Sequence, residues 1–147
     1  MGEKTEELIK AAERSTSVIS SNVRGAKTAK DHPTKLLKEV KSADHQAWHK
    51  DHESLLTEKM HFKNVGQLLE VSIKHGKTAL TALNKKIKVK AVLDFFKTQK
   101  SLDAAKLTAK ELETAIKEGE KALVTLKKEF TTYEKEVKEV IDAVPGK

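Results

Sequence analysis

The chain has 147 residues, too few for two independent cores, and is read as a single domain over 1–147. It is 37% hydrophobic and 35% charged, which suits narrow apolar stripes on charged helices better than a broad globular core. The absence of cysteine excludes a disulfide scaffold, a zinc ribbon, an iron–sulfur site and a cysteine nucleophile, and no apolar run approaches the ~18 residues of a membrane span.

Net charge is +7, carried by 27 Lys and 2 Arg (Arg14, Arg24) against 22 acids. Such a balance permits anionic partners, although lysine on a flexible stem also serves simple solvation. Nucleic acid is an unfavoured partner: arginine is scarce, and sequence-specific DNA readout depends on arginine forks. Without cysteines or a hydrophobic signal region an intracellular setting is favoured; a mature secreted chain would look the same.

The first predicted helix covers about 4–30, with a stripe of Ile9, Ala12, Thr16, Ile19, Val23 and Ala26. Asp31-His32-Pro33 is the clearest break, because the residue before a proline leaves the helical region and proline suits a first turn. A second helix, about 34–62, is less regular: Leu36, Leu37, Val40, Ala43, Ala47, Trp48, Leu55, Leu56 and Met60. Asn64 and Gln67 have capping-box spacing and mark a weaker break. The third helix, about 65–96, follows Phe62, Gly66, Leu69, Ile73, Gly76, Leu80, Leu83 and Ile87. Ser101 can cap the fourth, about 102–143. There an apolar or small residue recurs over twelve alternating steps of three and four, from Leu102 to Val144.

Short connections between such helices predict an all-α, antiparallel up-down-up-down four-helix bundle. An alternative arises because the seam Trp48, His52, Leu55, Lys59, Phe62, Gly66, Leu69 keeps its phase through the weaker break. The second and third helices are then one continuous rod of more than fifty residues, giving three long helices and a homodimer rather than a monomer.

An internal repeat supports a bundle. Residues 69–83 align with 112–126 at eight identical positions of fifteen, with Gly76 on Gly119. Heptads built from Leu, Lys, Glu and Ala resemble one another, but glycine costs about 1 kcal/mol inside a helix, so its recurrence asks for a reason. The phrase Ile116-Lys117-Glu118-Gly119-Glu120-Lys121-Ala122-Leu123 resembles part of a helix of the group 5 mite allergens. It covers one helix in four, and no function is carried over from it.

Two candidate sites follow. His45, His49 and His52 share a helix face at i, i+4, i+7, a spacing from which imidazoles can bind a divalent metal; a half-exposed histidine-rich face is the plainer reading. Glu58-x-x-His61 matches the di-iron carboxylate spacing only once, where that chemistry needs it twice. If the turns centre on 32, 64 and 99, one layer gathers Ala12, His52 with Trp48 one turn away, His75, Gly76, Glu118 and Gly119. Small residues opposite a tryptophan then leave room for a small apolar ligand or haem, ligated by His49, His52 or His75, unless Trp48 itself fills the space. The second candidate is a basic pole. With the same turns, 22–41 and 84–110 share one end, where Lys85, Lys86, Lys88 and Lys90 surround Phe95 and Phe96. That pattern suits an anionic membrane or an acidic protein.

No glycine-rich phosphate loop or nucleophile elbow is present. The expected function is therefore non-enzymatic binding. The lead reading is a carrier or sensor for an apolar or haem-like ligand between helices; the alternative is an interaction module using its basic pole.

Overall fold

A computed structural model describes residues 2–41, 45–93 and 99–143, and side chains over 6–41, 53–88 and 102–142. All its elements are helices: α1 (Gly2–Thr28), α2 (Asp31–Lys41), α3 (His45–Leu93) and α4 (Gln99–Ala143). They pack against one another as an all-α bundle of long helices.

The arrangement is that of three rods. Lys30 and Lys41 approach Glu129 and Glu136 of α4, each at 3.9 Å, so α2 continues in the direction of α1 and both run parallel to α4. His32 meets Glu58 at 3.0 Å, while the Asn22 side chain donates to the Leu68 carbonyl at 3.4 Å. The first rod (α1 with α2) is thus antiparallel to α3. Ion pairs Lys59–Glu134 (3.2 Å) and Lys77–Glu120 (3.0 Å) show α3 antiparallel to α4.

Two sequence expectations are corrected here. The hairpin at Asp31-His32-Pro33 is instead a break within one rod. Pro33 has no N–H for the Ala29 carbonyl, and its ring would crowd that carbonyl in an unbroken helix. The chain therefore leaves the helix over Ala29 and Lys30 and restarts, the Thr34 amide donating to the Lys30 carbonyl at 2.9 Å. Pro33 is fully buried against the other rods, which keeps the direction of travel. The turn near Asn64 is absent: 45–93 is one helix of 49 residues. Nothing at 63–67 forces a break, and the apolar seam crosses it in phase, so burial outweighs the capping signal. Of the two architectures, the one with a continuous central helix is found.

The core follows the heptad stripes. Ala12, Ile19, Val23 and Ala26 of α1 meet Leu55, Phe62, Leu69, Ile73 and Leu83 of α3, and Ala105, Ala109, Leu112, Ile116, Leu126, Tyr133 and Val137 of α4. Leu80, Leu123, Phe130 and Val140 are half-buried along its edges.

Candidate functional site

The two repeat glycines do share a layer, and its third member is Ile19. A methyl group on Gly76 would lie 2.7 Å from Ile19 Cδ1, and one on Gly119 would lie 3.1 Å from Ile19 Cγ2. The space these glycines leave is occupied by protein. Ala12 lies two turns from Ile19 along α1. Because α3 is continuous, His52 is about 36 Å along the same helix from Gly76 at 1.5 Å per residue. Trp48, His49 and His52 therefore do not join Gly76 and Gly119 in one pocket. His75 is exposed beside buried Gly76.

The backbones of His45, Trp48, His49 and His52 lie in the first turns of α3, but their side chains fall outside the described residues, as does the proposed metal set. Among the described residues no group of three histidines or carboxylates could hold a metal. Glu58 and His61 do not act together: Glu58 pairs with His32, and His61 is exposed.

The lower half of the bundle holds an aromatic cluster. The Phe62 ring stacks on Tyr133 with centroids 5.7 Å apart and tilts against Phe130 at 5.5 Å. The Tyr133 hydroxyl donates to the Leu55 carbonyl at 3.2 Å. Burial, reinforced by the Glu58 carboxylate, pushes the Tyr133 phenol up to about 12. Above this cluster a shallow groove of about 340 Å³ opens between α3 and α4, floored by Phe62, Gly66, Leu126 and Phe130 and edged by Lys63, Glu70 and Lys127. Leu126 packs closely on Gly66 in its floor: a methyl group there would lie 3.2 Å from Leu126 Cδ2.

The basic pole is divided by the correction at Pro33. Residues 22–41 lie beside the middle and lower parts of α3 and α4, where Lys30, His32 and Lys41 face carboxylates. In sequence the segment 84–110 carries eight lysines against two acids, and its described parts, 84–93 and 99–110, lie at the opposite end. Lys85 and Lys88 are exposed and Lys86 is half-buried. Among the described residues these three take part in no ion pair, whereas six pairs form elsewhere. Lys90 lies on the α3 backbone with its side chain outside the described set, and Phe95 and Phe96 fall outside the described residues altogether. Counted outward from Ile19, Glu6 and Glu7 of α1 lie roughly level with this end.

One surface is not evident from the sequence patterns above. Met60, Leu68 and Val71 are 67%, 61% and 50% exposed on the outer side of α3, while Leu56, 48% exposed, lines a groove toward Val137 and Ile141 of α4. Apolar residues recurring away from the core seam are the available signal. That signal is masked by the low apolar content of the other positions on that side.

No protein-family model, no curated protein and no solved structure matches this chain. Among the described residues no helix is long and apolar enough to cross a membrane.

Proposed function

We propose that the chain is a non-enzymatic helical interaction module that docks its lysine-rich end on an anionic membrane or an acidic protein. The carrying observation is the uneven use of charge. Lys30, His32 and Lys41 of 22–41 meet carboxylates across the bundle, while Lys85, Lys86 and Lys88, close together near the end of α3, have none among the described residues. Successive lysines at every second position are 200° apart, so they spread around the helix instead of forming a single stripe. Each lysine close to an anionic bilayer contributes about 1 kcal/mol, fading over a Debye length of about 8 Å at physiological salt. Vesicles containing acidic lipid should bind the protein at low salt and release it at high salt. Replacing Lys85, Lys86, Lys88 and Lys90 by Glu should abolish binding with helicity unchanged. Binding indifferent to salt and to these reversals would reject the reading.

A second reading, a carrier for a small apolar ligand, is supported by the groove over Gly66. Its aromatic floor suits an alkyl chain, and Lys63 and Lys127, which outnumber Glu70 at its edge, suit a carboxylate at the end of that chain. Its lining contains no histidine, so it offers haem no imidazole. Fatty-acid titration of the wild type and of Gly66→Leu tests this: loss of binding in the variant supports the groove, and equal binding refutes it.

A further inference from the structure

We infer that the outer face of α3 is a self-complementary seam on which a second copy of this chain docks antiparallel. The residues are Thr57, His61, Asn64, Leu68, Val71, His75, Thr78 and Ala82, separated by alternating steps of four and three. At 100° per residue they form one stripe, about 140° round the helix from the core seam of Phe62, Leu69, Ile73 and Gly76. All but half-buried Ala82 are exposed. Met60, 67% exposed, widens the stripe.

The stripe lacks permanent charge in a chain that is 35% charged. Between 54 and 82 the charged residues of α3 are Glu58, Lys59, Lys63, Glu70, Lys74 and Lys77. All of them fall outside it. Glu58 turns toward α2, and Lys59 and Lys77 turn toward α4. A solvent-facing helix surface gains nothing from keeping Leu68 and Val71 in water, whereas a partner helix needs an uncharged seam there.

The occupant is identified by register. In an antiparallel pair, a positions of one helix face d positions of the other. Placing the two-fold axis midway between Leu68 and Val71 sets Leu68 against the partner's Val71 and Asn64 against its His75. It sets His61 against Thr78 and Thr57 against Ala82. Beyond the stripe, Glu53 and Lys88 flank it on the same side, both exposed. The same register brings Glu53 of each copy within a turn of the other copy's Lys88, at both ends. One axis thus aligns every uncharged position with another and closes each end with opposite charges. A parallel pair in register would instead set lysine-rich end beside lysine-rich end. The seam is about 38 Å long and about 10 Å wide, so the pair buries on the order of 800 Å² in total, below the standard size of specific interfaces, and the dimer is a weak, concentration-dependent one.

Sedimentation equilibrium over roughly two decades of concentration should show monomer passing to dimer. Leu68→Lys with Val71→Lys should hold the protein monomeric throughout, with unchanged helicity because both side chains are exposed. Glu53→Lys or Lys88→Glu alone should weaken the dimer, and the two together should restore it. The chain has no cysteine, so Asn64→Cys and His75→Cys variants report register cleanly. Mixed, they should form a disulfide-linked heterodimer, while Asn64→Cys alone should not link. A monomer at all concentrations, a dimer indifferent to the Lys variants, or linkage of Asn64→Cys to itself would overturn the inference. Leu68→Gln with Val71→Gln removes the apolar pair without adding charge and leaves the lysine-rich end untouched, so vesicle binding by that variant separates failure here from failure of the docking reading.

Discussion

Ile73 of α3 packs on Gly119 of α4, where a methyl group would come within 3.1 Å of Ile73 Cγ1. The relation is reciprocal: Ile116 Cγ1 and Leu112 Cδ1 lie 3.5 Å from a methyl placed on Gly76. Each glycine of the internal repeat receives the isoleucine of the other copy, which antiparallel packing of two like segments makes natural. Ile19 wedges between both. Gly119→Leu should therefore destabilise the protein by about 1–2 kcal/mol in a urea titration, overpacking of ~1–3 kcal/mol being partly offset by helix propensity. Full stability would mean that this layer is looser than the contacts indicate.

Ile19 is fully buried at the point where all three rods meet. Ile19→Ala should cost ~2–5 kcal/mol through lost transfer energy and a residual cavity. Gly25, farther along the same helix, is exposed, and a methyl group placed on it would meet no atom within 4 Å. Gly25→Ala should gain ~0.5–1 kcal/mol from backbone entropy alone. Chemical denaturation of the two variants would separate a packing residue from a merely tolerated glycine; a stabilising Ile19→Ala or a destabilising Gly25→Ala would contradict the assignment.

The seams of α1, α3 and α4 are legible in the sequence because each repeats over several turns and burial follows that period. From Leu102 to Val140 every position of the long series is buried or half-buried. The path between seams is less legible. A proline reports that a helix is interrupted; it carries no information on whether the chain then reverses. At Pro33 the answer lies in tertiary packing, in the burial of Pro33, Leu37 and Val40, and it is read from the pairing of Lys30 and Lys41 with Glu129 and Glu136 of α4. A pocket of Trp48, His52, Gly76 and Gly119 requires a reversal near Asn64, and it dissolves once that reversal is absent. The glycine layer itself survives because it rests on a repeat within the sequence, independent of any turn.

Tyr133 offers a pH test. Its phenol is pushed up to about 12 in the fold, above the ordinary value near 10. A group whose folded value is raised contributes stability that is complete below the unfolded value and lost as pH rises through the folded one. Unfolding free energy should hold steady up to about pH 10 and fall from there toward pH 12. Tyr133→Phe should remove that tyrosine's share of the alkaline loss. At neutral pH the same change should cost about 1 kcal/mol for the hydrogen bond to the Leu55 carbonyl. Ultraviolet titration at the phenolate band would check the phenol directly; normal titration near pH 10 in the folded protein would refute its burial.

The continuity of α3 can be measured directly. The chain lacks cysteine, so His52→Cys and His75→Cys give two unique attachment points for spin labels without further engineering. Both positions lie within His45–Leu93. An unbroken helix holds their backbones about 35 Å apart at 1.5 Å per residue. A turn centred on 64 would instead set them side by side on neighbouring helices, whose axes lie about 8–10 Å apart. Pulsed electron resonance should return a single distribution near the longer value, broadened by the label linkers. A population under about 20 Å would restore the hairpin. Labels on separate copies, paired in the antiparallel register about Leu68 and Val71, would add a further distance, so the measurement should be made on doubly labelled chain diluted into unlabelled protein. A long distance that persists under dilution fixes the central rod, and with it the separation of the histidine-rich turns from the glycine layer.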